Sequence, residues 1–319
     1  MSLEMAALAV VLCGCPKKGA VPPPASEGPP VAFEGPWTAP LGHHHPLIGK
    51  AWSPEKGFVT REVLEADLAA HPYVMLGEKH DNPDHHRLQG ELTGALIDGG
   101  HQAVVFEMLD VDEADAVAGA TDPDALAAAV DWEHSGWPAF SMYRPIFEAI
   151  QAHGGTVVAG HPTRDQVKAA MTDGVPGVKA LTEPLHDSLA REIRDDHCGY
   201  ANDAMIPLLV NAQRLKDSTL AAHVASFPEA VLICGGGHAR RDRGVPYYLP
   251  EGSSVSLGFE EVQDGVTDPA AYVEPGEYDW VVFTARLDDT DPCEVFKKQL
   301  EKMKASPGGD GDSNPGQAR

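Results

Sequence analysis

Cysteine and positive charge are both scarce in this sequence. Five cysteines occur among 319 residues and no Cys-x-x-Cys pair is present, which disfavours a thiolate zinc site. Lysine and arginine number 24 against 48 aspartates and glutamates, and the formal net charge of −24 argues against nucleic acid or an anionic membrane surface as the main partner. Cationic ligands and metal ions remain compatible with this charge.

Two kinds of motif are also missing. The sequence contains no Gly-x-Ser-x-Gly, which marks the nucleophilic serine of α/β hydrolases. The glycine run 235–237 is followed by neither Gly-x-Gly-x-x-Gly nor a Lys-Ser/Thr pair, so it does not indicate a nucleotide site. With 43% hydrophobic and 23% charged residues, the chain can build a sizeable core, in one large domain or two small ones.

The amino terminus resembles the signal peptide of a bacterial lipoprotein. An apolar run at 6–12, too short to span a bilayer as a helix, leads into Leu12-Cys13-Gly14-Cys15, which is similar to a lipobox. The usual positive charges before the run are missing. We expect residues 1–15 to be removed as a signal peptide and Cys15 to carry lipid, which anchors the protein to a membrane of the cell envelope, the outer membrane being favoured.

Composition divides the mature chain into a body between two flexible ends. Residues 16–42 are rich in proline, glycine and alanine, as expected of an extended tether, and residues 306–319 form a similar tail. Residues 43–305 are the predicted folded domain. Three cysteines remain there for at most one disulfide: Cys198, Cys234 and Cys293.

Apolar runs of strand length predict an α/β fold. Four runs are almost continuously apolar, as in parallel strands that are covered on both faces, and helical patterns separate them. We therefore predict a mostly parallel sheet flanked by helices. The four runs are residues 73–76, 103–108, 156–159 and 230–234, and the sheet is extended by 253–259 and 280–284.

Two long helical stretches interrupt this rhythm. Residues 110–150 and 168–226 contain no strand-like run, and we expect them to form helical insertions that cap the carboxyl ends of the strands. The first stretch carries aromatic and sulfur-containing side chains on one helix face. Such a stripe is usually core and less often lines a ligand pocket. Its members are Trp137, Phe140, Met142, Tyr143 and Phe147.

Acids and histidines follow the predicted strands. Glu78 and His80 come after the first strand, Glu107 lies near the end of the second, and His161 and His238 follow the third and fourth. Because parallel strands end at one edge of a sheet, where ligands bind in open α/β folds, we expect these side chains to converge. Burial should raise the pKa of each glutamate unless a histidine or another cation pairs with it.

Two of the strand ends share the form Gly-x-x-His, at 77–80 and 235–238. Glycine permits positive φ and close approach of the backbone. Histidine and glutamate together suit a divalent transition metal ion or general acid/base chemistry.

Simpler interpretations also apply at these positions. Glu107 could bond loop amides or pair with Lys79 or Arg87. His85 and His86, in the first turn of a helix that Asp81 or Asn82 caps and Pro83 begins, are more often solvated or capping than ligating.

The stretch 76–89, Leu-Gly-Glu-Lys-His-Asp-Asn-Pro-Asp-His-His-Arg-Leu-Gln, looks like the signature of the ChaN family of haem-binding lipoproteins. Further segments resemble the same family in the same order, and the resemblance covers most of residues 45–290. These segments are 45–52, 106–108, 135–138, 236–240 and 244–249.

This resemblance implies haem as the cofactor, a role in haem or iron uptake, a homodimer around stacked haems and an outer-membrane receptor as partner. It also implies a tyrosine ligand, for which Tyr143, Tyr200, Tyr247 and Tyr248 are candidates. Tyr200 is preferred because it lies beside His197 where the second helical stretch is broken, and packing after a turn accounts for Tyr247 and Tyr248. His80 and His238 are further candidate ligands. Arginines could meet the propionates: Arg240, with Arg164, Arg241 and Arg243.

The wider superfamily includes Tiki-type metalloproteases and is similar to erythromycin-esterase-like proteins, which implies an alternative. In that hypothesis the protein is a metal-dependent hydrolase. His80, Glu107 and His238 hold a divalent transition metal ion or act directly, and Glu78 is the general base.

Overall fold

The computed structural model describes residues 28–291, 293–295, 297–298 and 301. The predicted signal peptide with Cys15, residues 16–27 of the predicted tether and the tail 306–319 lie outside the described residues. The described part of the tether packs on the body: the Phe33 side chain is buried, and its amide donates to the carbonyl of Gly49 at 2.8 Å. The packed chain therefore begins before residue 43.

The sheet has eight strands in the order β2-β1-β8-β7-β3-β6-β4-β5. All neighbours from β8 to β5 are parallel, and β1 pairs antiparallel with both β8 and β2. The predicted mostly parallel sheet is thus confirmed, while the short strands β1 and β2 were not predicted. The strands are β1 (Ala51–Ser53), β2 (Gly57–Val59), β3 (Tyr73–Glu78), β4 (Ala103–Asp110), β5 (Thr156–His161), β6 (Ala230–Gly235), β7 (Ser254–Glu261) and β8 (Trp280–Thr284).

Helices cover both faces of the sheet and its carboxyl edge. As predicted, α2 starts with Pro83 after the Asn82 cap, whose side chain accepts from the amide of Asp84. Within the described residues, no helix has the length and apolar character needed to cross a bilayer. The α-helices are α1 (Arg61–Ala69), α2 (Pro83–Asp98), α3 (Ala114–Gly119), α4 (Pro123–Ala129), α5 (Phe140–His153), α6 (Arg164–Asp173), α7 (Glu183–Asp196), α8 (Ile206–Val224), α9 (Gly236–Ala239) and α10 (Val245–Tyr248).

Alternation along the strands builds one core on each face. Val74 and Leu76 of β3 pack in the larger core with α1, α2 and α5, whereas Met75 between them packs on the other face with α8. The aromatic stripe of the first insertion belongs mainly to the larger core, where Tyr143 and Phe147 are buried.

The helices α7 and α8 share a small core of their own, made by Leu189, Ile193 and three residues that follow: Ala201, Ile206 and Val210. A disulfide joins Cys198, in the turn between these helices, to Cys293, and Cys234 is free and buried. This agrees with the expectation of at most one disulfide.

Candidate functional site

The ends of β3 and β6 lie side by side, and glycine lets α9 approach them. Glu78 pairs with Gly235 across the ladder. A Cβ on Gly77 would lie 2.6 Å from Ala239 Cβ and 3.1 Å from Gly236 Cα. Neither Gly77 nor Gly235 has a positive φ. Close packing, rather than an unusual backbone conformation, therefore explains the glycines of the two Gly-x-x-His segments.

Glu78 is the centre of one half of the site. Its Oε1 lies 2.8 Å from His80 Nδ1 and accepts from the Tyr143 hydroxyl at 3.0 Å. Its Oε2 lies 3.1 Å from His86 Nε2, an ion-pair distance without the alignment of a hydrogen bond, and the His86 ring stacks on Tyr143. Burial would raise the pKa of Glu78, but His86 and His80 lower it to about 2.

Glu107 and His238 form the other half. Glu107 Oε2 accepts from the amide of Gly235 at 2.7 Å, and its Oε1 lies 3.1 Å from His238 Nε2. The other ring nitrogen of His238 is 2.6 Å from Asp217 Oδ1. Burial would lower the pKa of His238, but Glu107 and Asp217 raise it to about 10. His238 is therefore a buried cation between two carboxylates.

His80 joins the two halves. Its Nε2 is 3.8 Å from Glu107 Oε2, and a Cβ on Gly235 would approach that nitrogen to 2.8 Å. The Trp137 ring packs edge-on against His80 at 4.9 Å. The structure thus brings Glu78, His80, Glu107 and His238 into one buried cluster, which we call the strand-end cluster.

The exception expected for glutamates that pair with a histidine applies in this cluster. Burial favours neutral carboxyl groups, yet histidines hold the pKa values of Glu78 and Glu107 below their usual range. Burial opposes charge on His80 as well, but Glu107 and Glu78 raise its pKa. The site can therefore hold alternating positive and negative charges, and it can move protons between neighbouring groups.

Three residues that contact the strand-end cluster were not assigned to the site from the sequence. His86 was expected to be solvated or capping, but it is fully buried against Glu78. Tyr143 was considered as a member of the aromatic stripe and as a haem ligand, and Asp217 was not considered. The pair of histidines after the first Gly-x-x-His segment could have indicated that His86 belongs to the site. Asp217 is the one acidic residue in the 19-residue helix α8, and nothing in the sequence marks it as part of the site.

Arg240 and Tyr200 lie apart from the strand-end cluster. The Arg240 guanidinium is buried and bonds three acidic side chains: Asp242, Glu274 and Glu277. Tyr200, in the turn between α7 and α8, is 50% exposed. Glu107 pairs with neither of the cations considered for it, since Lys79 meets Glu261 and Arg87 meets Glu91.

Within the described part of the chain, no group of three or more His, Cys, Asp or Glu side chains has the arrangement of a metal site. His80, Glu107 and His238 make ion pairs with one another and with their neighbours. A divalent ion held by these three residues would have to replace those ion pairs.

Sequence comparison places more than half of the chain in a family. A family model described as "Haem-binding uptake, Tiki superfamily, ChaN" matches residues 64–249, a range that includes the strand-end cluster and the helices over it. No curated protein has a significant sequence match.

Comparison with solved structures agrees on the fold. The chain is similar to ChaN of Campylobacter jejuni, described with cofacial haem binding, at 18% identity and a TM-score of 0.62 over 73% of this chain and 95% of that chain. Two other similarities have TM-scores too low to bear on function. The type III effector HopBA1 scores 0.41 at 13% identity (70% and 92% covered), and a mutant of the erythromycin esterase EreC scores 0.39 at 12% (77% and 83% covered).

Proposed function

The chain belongs to the haem-binding uptake family of the Tiki superfamily that includes ChaN, and from this premise we propose that it binds haem. The observation that carries the proposal is the family match over residues 64–249, supported by the shared fold with a protein described as binding haem cofacially. Tyr200 lies inside the matched range, as does the whole turn that presents it.

The strand-end cluster is a poor haem ligand set in this structure. His238 has both ring nitrogens engaged, and His80 has Nδ1 engaged with Glu78. Each histidine side chain is only 7% exposed.

Tyr200 fits better than the other three tyrosines that the sequence offered. Tyr143 is buried and donates to Glu78, and the Tyr247 hydroxyl donates to the carbonyl of Ala180 at 2.8 Å. Tyr248 is partly buried. Tyr200 is half exposed, and a tyrosinate can ligate ferric iron.

The surroundings of Tyr200 suit a porphyrin. Met205, in the same turn, is one of the few large apolar side chains that are well exposed, at 40%. Arg191 and Arg194 of α7 are exposed and could meet propionates, Arg194 by giving up its ion pair with Asp203 at 3.2 Å. Arg240 is less suitable for that role, because acidic side chains already surround its guanidinium.

We further propose that the protein works as a lipid-anchored haem or iron uptake protein of the bacterial cell envelope, at the outer membrane. The lipobox-like segment ending at Cys15 and the proline-rich residues after it support this. An exposed haem on Tyr200 could be shared between two protomers or passed to an outer-membrane receptor.

Titration with hemin tests haem binding. The Soret band of hemin should shift and saturate as protein is added, and Tyr200→Phe should weaken the affinity by an order of magnitude or more because the iron loses its anionic ligand. Tyr73→Phe is the matched control, since Tyr73 begins β3 at the opposite edge of the sheet. A double variant, His80→Gln with His238→Gln, should bind hemin as well as the wild type under conditions in which circular dichroism shows that it is folded.

If the double variant loses binding and Tyr200→Phe keeps it, haem sits in the strand-end cluster instead. If the wild type gives no saturable shift, the haem proposal is wrong.

A second candidate is hydrolysis at the strand-end cluster. The observation that favours it is the alternation of His80 and His238 with buried carboxylates at the edge where α/β folds bind ligands. In that case Glu78 would be the general base, and a divalent transition metal ion would be held by His80, Glu107 and His238 and would activate water.

Metal analysis of protein purified without chelators tests this second candidate. Close to one equivalent of a transition metal, lost in a Glu107→Gln variant, would support it. Absence of bound metal together with no uptake of added zinc or manganese would contradict the metal-dependent form.

A further inference from the structure

His161 stands outside the strand-end cluster and has one ring nitrogen without a partner. It ends β5 and pairs in the ladder with Asp110, the last residue of β4. Its Nδ1 lies 2.9 Å from Asp110 Oδ1. Its Nε2 is buried and makes no hydrogen bond within the described residues.

Asp110 determines which nitrogen of His161 carries the proton. A carboxylate accepts a hydrogen bond, so Nδ1 must be the donor, and the neutral ring then has its lone pair on Nε2. Asp110 is itself fixed by a capping box with Glu113, in which each side chain accepts from the other residue's amide. Burial lowers the pKa of His161, so the neutral ring prevails at pH 7.

We propose that His161 and Asp110 form a second acid–base site at the carboxyl edge of the sheet, in which His161 Nε2 takes the proton of a water or alcohol hydroxyl. The O–H bond breaks and an N–H bond forms at Nε2, while the oxygen keeps the electron pair. The new positive charge on the ring is balanced by Asp110, which acts as the positioning residue. This site does not depend on haem.

A nearby cation suits the negative oxygen that this step creates. Lys216 of α8 acts electrostatically on His161, Glu107 and Asp217, although burial has the largest influence on the pKa of each group. A positive charge near this part of the sheet edge favours an anionic oxygen.

An unpartnered ring nitrogen is not enough to make a base, and His101 provides the comparison. His101 is also buried, its Nε2 lies 2.8 Å from the carbonyl oxygen of His71, and its Nδ1 has no partner in the described structure. It precedes β4, at the amino edge of the sheet, and it bonds a carbonyl rather than a carboxylate. His101 is thus a matched reference for a structural histidine.

Diethyl pyrocarbonate tests the proposal, since an imidazole lone pair attacks its carbonyl carbon and displaces ethyl carbonate. In the wild-type protein at pH 7, mass spectrometry should find His161 modified several-fold faster than His101. Asp110→Asn should slow modification of His161 and leave His101 unchanged.

Nitrogen-15 NMR of the imidazole rings gives an independent reading that needs no variant. His161 should be neutral with its proton on Nδ1. A proton on Nε2, or modification of His161 no faster than that of His101, would overturn the proposal. Neither result depends on whether hemin binds.

Discussion

At the scale of single residues, the acidic side chains of the strand-end cluster stay ionised and pair with histidines, instead of taking up a proton and becoming neutral. Glu78 and Glu107 are buried, where a lone carboxylate would be costly, and each is held ionised by histidines on other segments of the chain. Removing one partner would leave an uncompensated charge. Single substitutions in this cluster should therefore have large effects on the free energy of unfolding, although the paired residues lie far apart in the sequence.

Replacing Asp217 with asparagine should lower the pKa of His238 from its value of about 10, because one of the two carboxylates that raise it is lost. An NMR pH titration of the His238 ring measures the change. Asp112→Asn, at an exposed position, should leave this pKa unaltered. An unchanged pKa in Asp217→Asn would show that Asp217 does not stabilise the histidine cation.

The ion pairs of His238 and Glu78 also determine the pH range in which the fold is most stable. The raised pKa of His238 stabilises the fold fully below its ordinary value of 6.5, and this contribution is lost as pH rises towards 10. The lowered pKa of Glu78 stabilises the fold above its ordinary value of 4.5, and this contribution is lost as pH falls towards 2. These two groups should make the free energy of unfolding greatest between those ordinary values.

Urea unfolding at a series of pH values measures this window. His238→Gln should abolish its part of the alkaline decline and, by leaving Glu107 and Asp217 without their cation, should cost about 3–5 kcal/mol at neutral pH. A wild-type stability that stays constant from pH 7 to 10 would contradict the assigned pairing.

At the scale of elements, the sequence was enough to find the parallel strands, because the runs of β3, β4, β5 and β6 are nearly continuously apolar and those of β7 and β8 extend the same pattern. It missed β1 and β2, which have three residues each and lie at the antiparallel edge. The convergence of strand ends followed from the parallel topology. The contribution of α8 did not, since tertiary packing alone decides that Asp217 faces His238.

A further prediction follows from the close packing of α9 on β3. Gly77→Ala should destabilise the protein by about 1–3 kcal/mol, because the new methyl group would meet Ala239 Cβ and Gly236 Cα, neither of which can rotate away. Gly119→Ala is the control, with nothing within 4 Å and helical backbone, so it should be neutral or slightly stabilising. Chemical denaturation of both variants measures the difference, and equal stabilities would be inconsistent with the described contact.

At the scale of the whole molecule, the disulfide between Cys198 and Cys293 joins segments 95 residues apart. Loop closure over that length should stabilise the native protein by about 2–4 kcal/mol. We expect a reducing agent to lower the melting temperature of the wild type. In a Cys198→Ser, Cys293→Ser variant the melting temperature should already be low and should not respond to the reductant. A wild type insensitive to reduction would show that the cross-link contributes little.

The family, the fold and the strand-end cluster were all accessible from the sequence because they rest on local motifs and strand order. The burial of Tyr143 and the exposure of Tyr200 were not, since both are tyrosines in helical stretches and only packing separates them. That difference directs the haem proposal to the turn between α7 and α8.

The central claim is that this protein binds haem, and equilibrium titration of the folded wild-type protein with hemin tests it most directly. The account predicts a Soret shift that saturates at a defined stoichiometry and disappears when the protein is unfolded in urea. A spectral change that grows linearly without saturation, or that persists after unfolding, would contradict it.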